Sequence, residues 1–210
     1  MRLILASTSP RRREILALLG VGFDVIEPDF EEQLSTGRSI DEEVLDFAVG
    51  KARSIAAQHP DSLIIGSDTM IFLDGAKIGK PKDLGDARRI LSSLAGKTHR
   101  IYTAVAILDT RGGPGLSFVD QVCVDMRPYT EQEMEDYLGH NESLDKAGAY
   151  SIQGEGSKLI AAIRGDYLAA VGLPLRPIAD YLCRQGITFP LDVEQFYRKK
   201  AYLNWRLFRS

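Results

Sequence analysis

Cysteine, histidine and long apolar runs are all scarce in this chain, and each scarcity removes a class of function. Two cysteines among 210 residues, Cys123 and Cys183, stand far apart, which excludes a disulfide framework and leads us to expect a cytosolic protein with reduced thiols. Three histidines, His59, His99 and His140, show neither metal-binding spacing nor a nucleophile partner, so zinc chemistry and histidine-based catalysis are set aside. No apolar run approaches the roughly 18 residues that cross a bilayer. The start, Met1-Arg2-Leu3-Ile4-Leu5, lacks the apolar core of a signal peptide. Charge of one sign is also lacking. A net charge of -3 gives no global field for nucleic acid, so an acidic ligand needs a local basic cluster.

What is present is enough apolar content, 44%, to bury a large core as one domain or as two lobes around a cleft. Strand and helix patterns are mixed along the chain without internal repeat or low-complexity linker, which predicts an α/β fold. Leu3-Ile4-Leu5-Ala6 reads as a strand, and Ile15, Leu16, Leu18 and Leu19 as one side of a helix that starts after Ser9-Pro10. A strand is expected at 23–26, a polar loop at 28–39, and a helix over 40–58 capped by Ser39 or Asp41. Further on come a strand through 63–73, a helix over 84–94, and two strands at 101–108 and 116–126 that form a hairpin around Arg111-Gly112-Gly113-Pro114-Gly115. Thr130 and Glu133 form a capping box at a short helix over 130–138. A glycine-rich stretch over 145–156, a strand at 158–163 and a helix opening at Pro174 complete the pattern.

The chemistry concentrates at a few places. Arg11, Arg12 and Arg13 fill the first turn of the first helix, where the helix dipole disfavours positive charge. A bound phosphate resolves that conflict, since free backbone N–H groups and arginine forks converge there; a solvated basic turn is the alternative. Asp68 interrupts an apolar strand and is read as a metal ligand or as the group that activates water, against the plainer reading of a turn former at a strand end. Glu31 and Glu32 on the acidic loop offer hard oxygen ligands, or are simply solvated. Lys51 and Lys80, the latter in Gly79-Lys80-Pro81, can neutralise phosphate but would be unremarked surface lysines if taken alone. Gln153, at the end of the glycine-rich stretch, has the donor and acceptor to read a base edge. Gly96-Lys97-Thr98 is not a P-loop, because Leu91 occupies the upstream glycine position.

These residues stand in an order that resembles the Maf family of nucleoside triphosphate pyrophosphatases. The shared motifs are Leu5-Ala6-Ser7-Thr8-Ser9-Pro10-Arg11-Arg12, Glu31-Glu32, Lys51-Ala52, Gly66-Ser67-Asp68-Thr69, Gly79-Lys80-Pro81, 144–150, Ile152-Gln153-Gly154 and Gly165-Asp166-Tyr167. The resemblance implies a mixed, elongated sheet with flanking helices forming two lobes around a cleft, and a homodimer. It implies cleavage between the α and β phosphates with a divalent cation, Mg2+ or Mn2+. Ser7, Arg12, Lys51 and Lys80 then serve the phosphates, and Glu31 with Asp68 the metal and attacking water. Arg11, Thr69 and Gln153 match the branch that prefers dTTP and UTP; the branch acting on 7-methyl-GTP carries an aromatic residue and a glutamate at the first and last of these. Ser67 and Ala169 depart from the commoner alanine and asparagine. The family-like domain spans 1–186, and 187–210 is an extension, expected to be helical and packed on its own domain or partly frayed, with a subunit contact or a basic nucleic-acid patch as the alternatives. The rival readings are a non-catalytic nucleotide-binding regulator of cell division and a 7-methyl-GTP pyrophosphatase.

Overall fold

In the computed structural model, residues 1–33 and 37–208 are described. Seven strands form one mixed sheet, β1 (Arg2–Ala6), β2 (Asp24–Ile26), β3 (Ser62–Leu73), β4 (Ala76–Ile78), β5 (Thr98–Asp109), β6 (Leu116–Met126) and β7 (Ile160–Arg164). Their order is β2-β1-β3-β5-β6-β7, with β4 paired to β3. The three strands β2, β1 and β3 run parallel, and every other pairing is antiparallel. The helices are α1 (Pro10–Ala17), α2 (Ile40–Ala56), α3 (Leu84–Leu94), α4 (Glu131–Leu138), α5 (Tyr167–Val171), α6 (Leu175–Arg184) and α7 (Val193–Lys199). None among the described residues is long and apolar enough to cross a membrane. Cys123 and Cys183 are both free thiols.

Strand alternation sorts the core into two faces. Ile65, Ile71, Ile101 and Val105 join the large core that also takes Ile15, Leu91, Met134, Leu168, Ile178 and Phe196 from six helices. Met70, Tyr102, Ala104 and Ala106 point the other way and are covered by Val44, Phe47 and Ala48 of α2. The local signals behind these helices are plain. Ser39 and Glu42 close a capping box at α2, Thr130 and Glu133 another at α4, and Asp83 caps α3.

One edge of β3 positions the site. β1 pairs with β3 only as far as Ala6 opposite Gly66, and β4 takes up that edge again at Ile71. Between those registers the β3 edge is open at residues 67–70, beyond the carboxyl end of β1, where parallel sheets commonly receive ligands. Both faces of the strand reach this gap. α2 lies very close to β3 here: a Cβ on Gly66 would come within 2.2 Å of the Ala48 carbonyl oxygen and 2.9 Å of the Ala52 nitrogen. Those atoms are helix backbone and cannot swing aside. Gly66→Ala is therefore expected to destabilise the protein by about 1–3 kcal/mol by forcing α2 off the sheet. Urea denaturation checks this, and an unchanged midpoint would contradict the close approach.

Candidate active site

The segment from Ser7 to Arg12 turns from β1 into α1 at one side of the gap. Ser7 is buried, and its Oγ accepts from the Ser9 N–H at 3.1 Å. Ser9 caps the helix, its Oγ accepting from the Arg12 N–H at 3.5 Å, with Pro10 as first helical residue. No acidic residue occupies the first turn of α1, so nothing in that turn offsets its arginines; Glu14 follows directly after them.

The arginines are sorted by helix geometry, since successive residues point about 100° apart. Arg12 turns inward. Its Nε donates to the Gly172 carbonyl at 3.0 Å and Nη2 to Thr69 Oγ1 at 3.1 Å. Thr103 Oγ1 donates to the Ala169 carbonyl at 2.8 Å, so its single proton is spent and Thr69 must donate to it across 3.0 Å. The relay Arg12, Thr69, Thr103, Ala169 thus runs in one direction and locks the guanidinium plane. Burial lowers the Arg12 pKa, and Asp68 opposes that shift. Arg11 instead lies within electrostatic reach of Asp145 and Tyr202, on the side of the glycine-rich loop. Arg13 is exposed.

Across the strand, the Lys51 ammonium sits between two carboxylates, 2.5 Å from Asp68 Oδ1 and 2.6 Å from Glu32 Oε1. Lys51 and Asp68 are only 8% and 6% exposed, so this is a dry ion pair with one half-exposed carboxylate at its mouth. Burial pushes the Asp68 carboxyl up from its ordinary value, while Lys51 and Arg12 pull it back down. Glu31, by contrast, is exposed and outside the pocket lining, its carboxylate accepting from Gln33 Nε2 at 3.3 Å. The structure therefore brings Glu32, rather than Glu31, to Asp68.

These groups line a cavity of about 760 Å³. Ser7, Arg11, Arg12, Lys51, Asp68, Thr69, Lys80 and Gln153 all face it. Six basic and four acidic side chains line it, so a chain of negative net charge keeps a locally positive cleft. Lys80 is exposed at its rim, on a turn tied to the glycine-rich loop by the Gly148 N–H donating to the Gly79 carbonyl at 3.1 Å. Ser7 and the inward-turned Arg12 gather at the α1 end. Arg11 and Gln153 form the other end, and Thr69 stands with Arg12 rather than with them. Among the described residues no three Asp, Glu, His or Cys side chains form a metal-binding cluster.

A family model described as Maf-like protein matches residues 2–185. The chain belongs to the Maf family. It is 42% identical over 184 residues to a protein of Clostridioides difficile named dTTP/UTP pyrophosphatase, covering 87% of this chain and 94% of that one. A Dictyoglomus thermophilum protein of the same name is 43% identical over 185 residues, 88% and 96% of the two chains. One from Moorella thermoacetica is 40% identical over 186 residues, 89% and 96%.

Within this Maf chain, several supporting residues were invisible as functional ones in the sequence. Ser67 Oγ donates to the Gly172 carbonyl at 3.1 Å, beside Arg12, and so supports the same oxygen from β3. Ala169 supplies only its backbone carbonyl, which any residue could offer. Thr103 sits on β5 opposite Thr69, a pairing readable only once strand register is known. Gly172, with φ at 123°, closes α5 where a side chain is disfavoured, and puts its carbonyl under Arg12 and Ser67.

Proposed function

We propose that this Maf protein is a divalent-metal-dependent pyrophosphatase that converts dTTP and UTP to the monophosphate and pyrophosphate. The observation that carries the reading is the pair of carboxylates, Asp68 and Glu32, bridged by Lys51 at the open β3 edge and faced by the locked Arg12. In a hydrolysis of this kind, a water oxygen bonds to phosphorus, the bridging oxygen between the α and β phosphates leaves with pyrophosphate, and the water proton must go to a base. Asp68 suits that last role because burial favours its protonated form once the proton arrives. Arg12, Lys51 and Lys80 neutralise charge on the triphosphate, and Ser7 with the first N–H groups of α1 seats a phosphate.

Two hard carboxylates fit a magnesium or manganese ion that also takes phosphate oxygens, the usual arrangement for a nucleotide-borne cation. Asp68 and Glu32 would hold it, and it would polarise the phosphoryl group and neutralise the leaving pyrophosphate. The same carboxylates now share Lys51, so a cation between them has a stand-in already. Base preference rests on Arg11 and Gln153, and the shared name of the relatives supports dTTP and UTP as the substrates.

Purified protein with Mg2+ or Mn2+ is expected to release pyrophosphate from dTTP and UTP faster than from 7-methyl-GTP. Intact dTTP and UTP, or orthophosphate as product, would overturn the reading. A paired comparison tests the carboxylates: Glu32→Gln should lower kcat about 10–100-fold and Glu31→Gln less than about twofold. The reverse ranking would assign the role to Glu31.

A further inference from the structure

The family match ends at residue 185, yet the chain beyond it returns to Gln153, a residue that lines the pocket. α7 is anchored first: Phe196 is buried, and the Tyr197 hydroxyl donates to Asp166 Oδ2 at 2.9 Å while accepting from the Leu175 and Arg176 N–H groups at 3.2 Å each. Asp166 is the cap of α5, the helix whose end holds Arg12. Beyond α7, Trp205 stacks on Tyr167 at 5.1 Å and 12°, Phe208 stacks on the same ring at 6.0 Å, and the Tyr167 hydroxyl donates to the Leu203 carbonyl at 2.5 Å. Between these anchors, Lys200 and Asn204 both adopt left-handed backbone, φ 46° and 60°, and bend residues 200–204 toward the glycine-rich loop.

There Asn204 does something specific. Its Nδ2 donates to the Gln153 carbonyl at 2.8 Å, with the Ile152 and Gly154 carbonyls each at 3.4 Å. Three consecutive carbonyls thus converge on one side-chain amide, which fixes the backbone that carries Gln153. Next to it, the buried Tyr202 hydroxyl faces the Gln153 side chain and lies within electrostatic reach of Arg11 and Glu14. The extension therefore holds Gln153 through its backbone and lies within electrostatic reach of Arg11.

We propose that residues 200–204 are a positioning element for base discrimination: Asn204 holds Gln153 in reading geometry, and Tyr202 walls off Gln153 and Arg11 from the side away from the phosphates. This rests on the nucleotide reading above but concerns recognition, not turnover. A pyrimidine triphosphate is the ligand whose affinity depends on it, because only the base edge meets Gln153.

The test measures binding by calorimetry of the α,β-imido analogues of UTP and GTP to the full chain and to Asn204→Gly and Asn204→Asp. Glycine tolerates the positive φ and removes only the amide, whereas aspartate turns an acceptor toward three carbonyls. Melting temperatures check that both variants fold, and the glycine variant carries the decision where aspartate disrupts the loop. The UTP analogue should bind Asn204→Gly about tenfold more weakly, the worth of one hydrogen bond, with the GTP analogue unchanged, so that selectivity falls. Unchanged selectivity in Asn204→Gly, or equal losses for both analogues, overturns the proposal. A wild-type protein that binds the UTP analogue but releases no pyrophosphate from UTP would sink the catalytic reading alone, and the binding comparison would still decide this one.

Discussion

Asp68→Asn is expected to reduce pyrophosphate release from dTTP and UTP by about 10³-fold, with nucleotide affinity holding within about tenfold. Asparagine has nearly the same shape, so its side-chain oxygen can still accept from the Lys51 ammonium that now lies 2.5 Å from Oδ1. What it removes is the charge and the capacity to take a proton. Lys51 would then be balanced by Glu32 alone, a carboxylate half open to solvent. The pair is too dry to leave unbalanced at no cost, since removing one partner of a buried ion pair strands the other. Here the second carboxylate limits that penalty, so the variant should fold, and circular dichroism on it checks that. Turnover within tenfold of wild type would remove Asp68 from the chemistry. The same variant tests the regulatory alternative: a cellular effect that persists without turnover would belong to binding rather than to hydrolysis.

Arg12→Ala should depress turnover of every triphosphate by about 10²–10³-fold, the usual cost of losing a preorganised charge donor. Two of its five N–H groups are used on the Gly172 carbonyl and Thr69 hydroxyl, and the described residues take no others, which leaves the rest for an anion. Arg12→Lys should recover little, because a single ammonium cannot hold both oxygens and present a planar fork as well. Arg11→Ala, one residue away, should change the ranking among bases and spare the common phosphate chemistry. Steady-state rates on dTTP, UTP, GTP and 7-methyl-GTP separate the two. Equal losses across that panel from both variants would make the arginines one undivided phosphate clamp.

Much of the frame was legible in order along the chain. α3 occupies the expected 84–94, the 116–126 strand has the expected bounds, Ser39 of the two candidates caps α2, and the Thr130–Glu133 capping box lies where its residue pair puts it. β5 begins at Thr98, three residues before its apolar run, because β6 pairs with the polar positions too. β4 and α5 were missed, at three and five residues too short to show a period. The extension 187–210 was expected to be helical, but α7 covers only Val193–Lys199 and stops where Lys200 enters left-handed backbone. No glycine or proline stands there to mark the break. Aromatic packing on Tyr167 sets it instead.

The site divides the same way. The turn Ser7-Thr8-Ser9-Pro10, the arginine cluster and the interrupting Asp68 declare themselves in sequence, because a helix start that gathers positive charge and an acid inside an apolar strand each create a local energetic conflict. Which carboxylate meets Lys51, which arginine turns inward, and which tail residue reaches Gln153 were decided only in three dimensions. Glu31 and Glu32 are chemically identical neighbours, and nothing local separates them; only the folded loop shows that Glu32 meets Lys51 of α2. Sequence by itself determined the chemical groups and the elements that carry them, since these follow from backbone preference and side-chain chemistry within a few residues. The tertiary structure determined their pairing, since that depends on strand register, on the open edge between β1 and β4, and on contacts between residues far apart along the chain.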